Sequence, residues 1–176
     1  MKLQVPENKP VSFSEEKEGW VFSIPALLSL IRATLERGAV FRFKATGFSM
    51  SPFVKDGDVI TLSPLFDIPP YFGDIVAFVR PKTGKLVIHR ITGKYAGYYN
   101  IKGDNTWQVD SPIAEKNILG RLVKVERDGR HIRFGRGLER FLIAFLSRRN
   151  LLPLLFRGWR VVPFFVRRFL LWTIRL

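Results

Sequence analysis

Between residues 39 and 136, apolar side chains recur at every second position in short segments that turn residues separate. Phe41 and Phe43 alternate with Arg42 and Lys44, the pattern of a strand with one buried face. Further apolar segments of strand length are Val59 to Ser63, Ile75 to Arg80, Leu86 to Thr92, Tyr95 to Ile101, Ile118 to Glu126 and His131 to Phe134. Short strands at this even spacing predict a mainly β fold, built as an antiparallel sheet or barrel.

Segments with a helical period flank the predicted sheet. Residues 1–19 are polar and are expected to form a loose leader without a signal peptide or anchor. An amphipathic helix comes next, with Ser23 as its N-cap, Gly38 as its stop and an apolar face formed by Ile24, Leu27, Leu28, Ile31 and Leu35. We therefore expect three parts: leader and helix at 1–38, a β domain at 39–136, and an appendage at 137–176.

The appendage combines arginine with apolar residues. Leu138, Phe141, Leu142, Phe145 and Leu146 form one apolar helical face, and Pro153 and Pro163 are expected to break the remaining C-terminal segment into short helical pieces. From residue 138 onward there are eight arginines and one acidic residue, Glu139. These arginines carry much of the net charge of +14, which requires a polyanionic partner.

Apolar blocks between the arginines indicate which polyanion is bound. A nucleic-acid-binding arm would leave this apolar surface uncovered, whereas a membrane interface covers it with acyl chains and pairs arginine with anionic headgroups. A membrane-spanning helix needs about 20 mostly apolar residues, and the longest stretch without a charged residue from residue 138 onward is seven. The sequence therefore predicts peripheral binding of an anionic membrane surface and no nucleic-acid partner. The appendage could also serve as a docking surface for a partner protein.

The chain has no cysteine and only two histidines, His89 and His131. A disulfide framework, a thiolate metal site and a cysteine nucleophile are excluded, and the two histidines lack metal-binding spacing. We expect neither a metal nor a cofactor.

Three polar residues lie in distinctive local sequences. Ser49 lies in the segment 47–52 (Gly-Phe-Ser-Met-Ser-Pro), His89 precedes Arg90, and Asp110 comes after a Gly-Asp-Asn turn. A hydroxyl, an imidazole and a carboxylate are the parts of an activated nucleophile, its base and the group that orients the base. These residues predict a serine-type hydrolase.

Five ordered motifs carry a resemblance to a known family. They are the segments 47–52 and 56–59 (Asp-Gly-Asp-Val), 73–78 (Gly-Asp-Ile-Val-Ala-Phe), 103–105 (Gly-Asp-Asn) and 118–121 (Ile-Leu-Gly-Arg). Over about residues 39 to 126, the chain resembles type I signal peptidases and their LexA-type relatives. The resemblance implies a mostly β catalytic fold and cleavage of a leader or signal peptide at a membrane, with small residues such as alanine before the cut.

The resemblance also implies roles for individual residues. His89 stands where most bacterial members have lysine, which is the archaeal and endoplasmic-reticulum style of Ser/His/Asp site. Ser49 is then the nucleophile, His89 the base and Asp110 the third member, seven residues after Gly103. Asp104 remains an alternative or supporting acid.

Other residues around the predicted nucleophile have secondary roles. The fallback bases are Lys94 and Lys102, with Lys85 a weaker candidate. Phe48, Met50 and Pro52 are predicted to contact substrate. Phe53 is expected to form an apolar floor beside the scissile bond with Phe48 and Met50, although core packing explains each of these three equally well. The backbone N–H of Ser49 is the natural oxyanion donor. Gly47, at a position where many family members carry serine, adds no side-chain donor.

Two other functions compete with a signal peptidase. A LexA-type self-cleaving regulator needs a DNA-binding module before the peptidase fold, and 38 residues with one helix are too few for a helix-turn-helix. It also needs a cleavage site before the serine, whereas Ala96-Gly97 lies after it. A non-catalytic, peptide-binding membrane scaffold is the second alternative. We expect a membrane-associated protein, peripheral on the cytoplasmic side of a prokaryotic inner membrane.

Overall fold

A computed structural model describes residues 11–12, 24–66, 68–110, 112–133 and 137–155. Its nine strands are β1 (Val11–Ser12), β2 (Phe41–Lys44), β3 (Val59–Ser63), β4 (Ile75–Val79), β5 (Leu86–Tyr95), β6 (Tyr98–Lys102), β7 (Ile113–Ala114), β8 (Ile118–Arg127) and β9 (Arg130–His131). The helices are α1 (Ile24–Glu36) and α2 (Glu139–Arg148), and a 3-10 turn covers Glu115–Asn117. The prediction of a mainly β fold is confirmed.

The strands form one curled, half-barrel sheet in the order β1-β2-β3-β8-β4-β5-β6-β7, with β9 paired to β8. All neighbouring strands are antiparallel except β1 and β2. β4 lies near the middle and is covered on both faces: Ile75 and Ala77 belong to one apolar cluster, and Val76 and Phe78 belong to another. Because both faces are buried, this strand has a continuous apolar sequence rather than an alternating one.

Helix α1 covers the first of these clusters. Ile31 and Leu35 are buried there beside Phe41 and Leu62, and Leu27 is partly buried against them. The predicted amphipathic helix is therefore confirmed, and its apolar face packs on the sheet. The predicted N-cap Ser23 lies outside the described residues.

Two sequence predictions about strands were wrong in detail, and one short strand was missed. The leader predicted to be loose contains β1, which pairs in parallel with the edge of β2. Tyr95 to Ile101 is not one strand, because Ala96 and Gly97 both have positive φ, 48° and 79°, and form a tight turn between β5 and β6. The two-residue strand β7 is too short to give a periodic pattern.

Helix α2 packs on the domain through a face that differs from the predicted apolar one. Ile143, Ala144 and Ser147 are buried, whereas Leu138 is 85% exposed and Leu142 is 60% exposed. Arg140 also joins α2 to the sheet by donating to Asp74 at 2.7 Å. The helix therefore turns much of its apolar surface away from the core.

The break after α2 lies before the predicted proline. Asn150 has a φ of 59°, a left-handed conformation that asparagine tolerates and that ends helices. Helical conformation resumes at 151–155. Pro153 lies in the first turn of this segment, where its missing N–H is not needed. Pro163 and the apolar blocks after residue 155 lie outside the described residues.

Within the part of the chain that the structure describes, neither helix has the length and apolar character needed to cross a bilayer.

Candidate active site

Ser49 lies in the loop at 45–58 that connects β2 to β3, which we call the Ser49 loop. Its two ends are joined by a hydrogen bond from the Ala45 N–H to the Asp58 carbonyl, at 2.7 Å. Inside the loop, the Gly47 N–H donates to the Asp56 carboxylate at 2.8 Å, and Gly47 has a φ of 95°, which favours glycine. The loop is therefore fixed near its base and at the residue two before the serine.

His89 lies in β5, where successive side chains alternate between the two faces of the sheet. It pairs with Val76 of β4, and its ring lies 6.3 Å from that of Phe78, measured between centroids. The next residue, Arg90, projects to the opposite face. The His89-Arg90 pair therefore serves two separate polar clusters, one on each side of the sheet.

The structure brings Ser49, His89 and Asp110 into one hydrogen-bonded series. Nε2 of His89 lies 2.9 Å from Oγ of Ser49, and Nδ1 lies 2.5 Å from Oδ2 of Asp110. His89 is only 6% exposed, so neighbouring atoms restrict its ring. With Asp110 ionised, Nδ1 carries the proton, and Nε2 accepts the hydrogen bond from the serine hydroxyl.

The Asp110 carboxylate has two side-chain partners, the imidazole of His89 and the guanidinium of Arg80. Burial opposes its negative charge, but hydrogen bonds and charge from His89 and Arg80 outweigh burial, so the pKa of Asp110 is below its ordinary value. Nη2 of Arg80 donates to Oδ1 of Asp110 at 2.5 Å. The backbone N–H of Asp110 donates to the Ile101 carbonyl at 2.9 Å, which attaches this residue to β6.

Asp104, the alternative acid, lies in the cluster on the opposite face. Arg90 donates to its two carboxylate oxygens at 3.0 and 2.9 Å, and both side chains are fully buried. Arg90 also donates to the Gly73 carbonyl at 2.9 Å. Burial raises the pKa of Asp104, and the Arg90 guanidinium opposes that rise. It is Asp110, not Asp104, that contacts the imidazole of His89.

The Gly-Asp-Asn turn packs directly on the serine and the histidine. The Asn105 N–H donates to the Ser49 carbonyl at 2.8 Å, and the Asn105 side chain donates to the Phe48 carbonyl at 3.2 Å. A Cβ at Gly103 would lie 2.8 Å from the Ser49 carbonyl oxygen and 2.9 Å from Nε2 of His89. Only glycine fits at position 103 without moving Ser49 and His89.

None of the three fallback bases has a hydrogen bond to Ser49. Lys94 donates to the Tyr99 hydroxyl at 2.8 Å, and Lys85 is exposed. Lys102 is fully buried, and its Nζ has no hydrogen-bond partner among the described residues. Burial lowers the pKa of Lys102, while the charge on Asp104 opposes this shift.

A cleft of about 370 Å³ opens beside Ser49 and His89. Its walls include Phe43 of β2 and Ile88 of β5, together with Met50. Of the residues predicted to lie against the substrate, Met50 alone lines this cleft, and Phe53 is buried in a core cluster instead. Phe48 is 68% exposed and Pro52 is also exposed, and neither belongs to the cleft lining. Phe48 and Pro52 are close to Ser49 in sequence, but the fold of the Ser49 loop places both of them outside the cleft.

Arg80 is the site residue that the sequence did not predict. It comes directly after β4, and side-chain alternation places it on the same face as Val76 and Phe78, which is the face that carries His89. This placement becomes visible only when the register of β4 against β5 is known. The sequence by itself marks Arg80 as the end of a strand before a turn.

Two further features bear on the chemistry. No described residue accepts a hydrogen bond from the backbone N–H of Ser49. Among the described residues, no three histidine, aspartate or glutamate side chains are grouped to hold a metal ion.

No protein-family model matches the chain, and a search of curated proteins finds no match.

Proposed function

We propose that this protein is a serine endopeptidase of the type I signal-peptidase kind, which cleaves a leader or signal peptide at a membrane surface. The observation that carries the proposal is the hydrogen-bonded series of Ser49, His89 and Asp110 beside an open cleft. The residues of such a site are recognised by their geometry and roles, and these three have the distances that proton transfer requires.

The proposed reaction has two stages, formation of an ester on Ser49 and hydrolysis of that ester. Oγ of Ser49 attacks the peptide carbonyl and passes its proton to Nε2 of His89, while Asp110 stabilises the imidazolium. The Ser49 N–H donates to the oxyanion of the tetrahedral intermediate. The C–N bond breaks as Nε2 returns the proton to the leaving amine, which leaves an ester on Ser49. Water, deprotonated by His89, hydrolyses this ester and frees Ser49.

Assignment to the signal-peptidase kind rests on where the motifs lie. The Ser49 loop and β5 line one cleft, and the Gly103–Asn105 turn packs on Ser49 and His89. The other two motif segments contribute β4 and β8 of the central sheet. A mainly β, half-barrel sheet agrees with the fold that the resemblance implies. The preference for small residues before the cut is part of the same proposal.

A fluorophosphonate probe tests the nucleophile without a known substrate. The parent protein is expected to gain one probe mass by intact mass spectrometry, and Ser49→Ala and His89→Ala are expected to lose the adduct. Ser51→Ala is the matched control, because this neighbouring serine has no bond to His89. An adduct that persists in Ser49→Ala would refute the assignment of Ser49.

Peptide cleavage tests the reaction itself. We expect the parent, but not Ser49→Ala, to cut peptides that carry alanine before the scissile bond, with mass spectrometry locating the cut. Fragments that appear when the protein is incubated alone would favour the self-cleaving regulator. A folded parent protein that neither cuts peptides nor takes up the probe would favour the alternative function, a non-catalytic peptide-binding scaffold.

Membrane association is the second part of the proposal, and the exposed side of α2 supports it. Leu138, Phe141, Leu142 and Phe145 are between 41% and 85% exposed, and we call these four residues the α2 outer face. Arginines border it, since the guanidinium of Arg149 lies 5.3 Å from the ring centre of Phe145. An apolar face bordered by cations suits an anionic bilayer, where each basic residue near the surface contributes about 1 kcal/mol.

A second exposed apolar segment lies next to the start of α2. Ile68 and Tyr71 are 58% and 57% exposed. Asp74 accepts hydrogen bonds from the Tyr71 N–H and from Arg140 of α2, at 2.9 and 2.7 Å. Arg121 connects Asp74 to the Ile68 carbonyl. Asp74 therefore joins the 68–71 segment to α2, which enlarges the apolar surface available to lipid.

Vesicle flotation tests this part separately. The full chain is expected to float with vesicles in which about one-third of the lipid is anionic. It is expected to remain unbound with zwitterionic vesicles at the same salt concentration. Leu142→Glu, on the α2 outer face, is expected to weaken flotation, whereas Tyr95→Glu, at an exposed position at the end of β5, is expected to leave it unchanged. Equal flotation of both variants would reject α2 as the lipid contact.

A further inference from the structure

Asp110 reaches His89 from a segment with little regular structure. The described residues between β6 and β7 form one isolated bridge, which joins Val109 to Lys102. The Asp110 N–H is bonded to the Ile101 carbonyl, which fixes the backbone but not the rotation of the carboxylate. The last torsion of an aspartate side chain has a broad energy profile, so the carboxylate needs a second contact to keep one oxygen on the histidine.

Arg80 supplies this second contact. Oδ2 of Asp110 lies on Nδ1 of His89, and Oδ1 accepts the hydrogen bond from Nη2 of Arg80. The carboxylate is thus held at both oxygens, and the Asp110 side chain is only 6% exposed. We propose that Arg80 is a positioning residue of this site and that it holds the Asp110 carboxylate in the orientation that serves His89.

The backbone around Arg80 is itself fixed. The Arg80 N–H donates to the Lys85 carbonyl at 2.9 Å, and the Arg80 carbonyl accepts from the N–H groups of Thr83 and Gly84 at 3.2 and 2.9 Å. These bonds close the turn between β4 and β5. Because β5 also carries His89, the base and the residue that orients its carboxylate are mounted on one hairpin.

The ring nitrogens of His89 allow a direct test by NMR. Two-bond 1H–15N spectra of the parent, Arg80→Gln and Lys82→Gln are compared at one fixed pH, and His131→Gln assigns the signals. We expect the parent ring to carry its proton on Nδ1, where Asp110 accepts it, and we expect Arg80→Gln to exchange the proton between both nitrogens, because the carboxylate loses its second contact. Lys82→Gln removes a cation from the same turn without touching Asp110 and should leave the proton on Nδ1. An unchanged tautomer in Arg80→Gln, or an equal change in Lys82→Gln, overturns the inference.

Labelling by the fluorophosphonate probe gives a second measurement. Arg80→Gln is expected to lower the maximal labelling rate about tenfold or more at one fixed pH, and Arg80→Lys should recover part of that rate. A maximal rate in Arg80→Gln equal to that of the parent contradicts a positioning role. This measurement rests on the proposed peptidase function, whereas the NMR measurement does not. If Arg80→Gln changes the His89 tautomer but the parent takes up no probe, the result counts against the peptidase proposal and not against the contact.

Discussion

Two aspartates lie close to the candidate base, and they have different surroundings. Asp110 is bonded to His89, whereas Asp104 forms a fully buried ion pair with Arg90. The sequence left these two acids as alternatives because both come within a few residues after Gly103. Side-chain alternation in β5, which separates His89 from Arg90, is what assigns each carboxylate to its own face.

Replacing Asp104 is therefore expected to lower stability, whereas replacing Asp110 is expected to lower activity. Asp104→Ala removes the carboxylate that balances the buried charge of Arg90, which is expected to cost about 3 to 5 kcal/mol of unfolding free energy. Asp110→Asn keeps the shape of the site but removes the carboxylate, and is expected to lower activity by about 10⁴-fold. Urea unfolding and probe labelling measure the two effects. A stable Asp104→Ala variant would contradict the structural role of the buried pair.

The lowered pKa of Asp110 also predicts a pH dependence of stability. A carboxylate with a folded pKa below its ordinary value of 3.8 contributes stability above pH 3.8, and this contribution is lost as the pH falls through the folded pKa. The difference in unfolding free energy between the parent and Asp110→Asn should therefore be constant near neutral pH and shrink in strong acid. Chemical unfolding at several pH values checks this. A difference that persists at pH 2 contradicts the argument.

Lys102 is expected to destabilise the fold, because its amine is buried without a hydrogen-bond partner among the described residues. Lys102→Met keeps a similar volume and removes the polar group, so the variant should gain about 1 to 3 kcal/mol at neutral pH. The gain should decline as the pH approaches the ordinary lysine value of 10.5, where the unfolded chain also loses its proton. Thermal or urea unfolding at pH 7 and pH 10 measures it, and Lys85→Met at an exposed position is the control. A loss of stability in Lys102→Met would show that the amine has a stabilising partner.

At the scale of elements, α2 packs against the Ser49 loop. Phe53 of the loop is buried against Ile143 of α2 and Leu152 of the next helical segment. On its other side, Phe53 lies 5.4 Å from the Arg90 guanidinium, measured to the ring centre. The loop that carries Ser49 is therefore packed between α2 and the buried ion pair.

Neighbouring residues on the two sides of α2 allow a matched comparison. Ile143→Ala should cost about 2 to 5 kcal/mol, because it opens a cavity under Phe53. Leu142→Ala, at a position that is 60% exposed, should change stability by less than about 0.5 kcal/mol. Urea unfolding of both variants decides this. Equal losses would mean that α2 packs through a different face.

Most strands could be predicted from the sequence, and their limits depend on local causes. The segment at 59–63 was predicted as it is found, because its apolar residues end at a turn on both sides. Tyr95 to Ile101 was predicted as one strand, because Ala96-Gly97 continues an apolar run and only its backbone angles reveal a turn. The outward face of α2 could not be predicted, since apolar residues surround much of this helix.

The candidate site shows the same division between local and long-range information. Ser49, His89 and Asp110 could be named because each lies in a distinctive motif. Arg80, in contrast, reaches Asp110 across 30 residues through a register that the sequence does not state. Phe48 and Pro52 were chosen for their nearness to Ser49 in the chain, and the fold of the loop places neither in the cleft.

At the scale of the whole molecule, the site joins distant parts of one sheet. Ser49 is carried between β2 and β3 near one end of the strand order, while His89 and Asp110 belong to β5 and to the segment after β6 near the other end. β8 and β4 lie between these two groups. Because the sheet is curled, the Ser49 hydroxyl reaches the His89 imidazole even though two strands separate β3 from β5 in the strand order.

This arrangement has a consequence for a newly synthesised copy of the protein. Until strand β8 is in place between β3 and β4, no strand pairing links β2 and β3 to β4, β5 and β6. If the proposed function is correct, an unfinished chain is therefore expected to lack an assembled hydroxyl–imidazole pair and to leave other nascent polypeptides uncut.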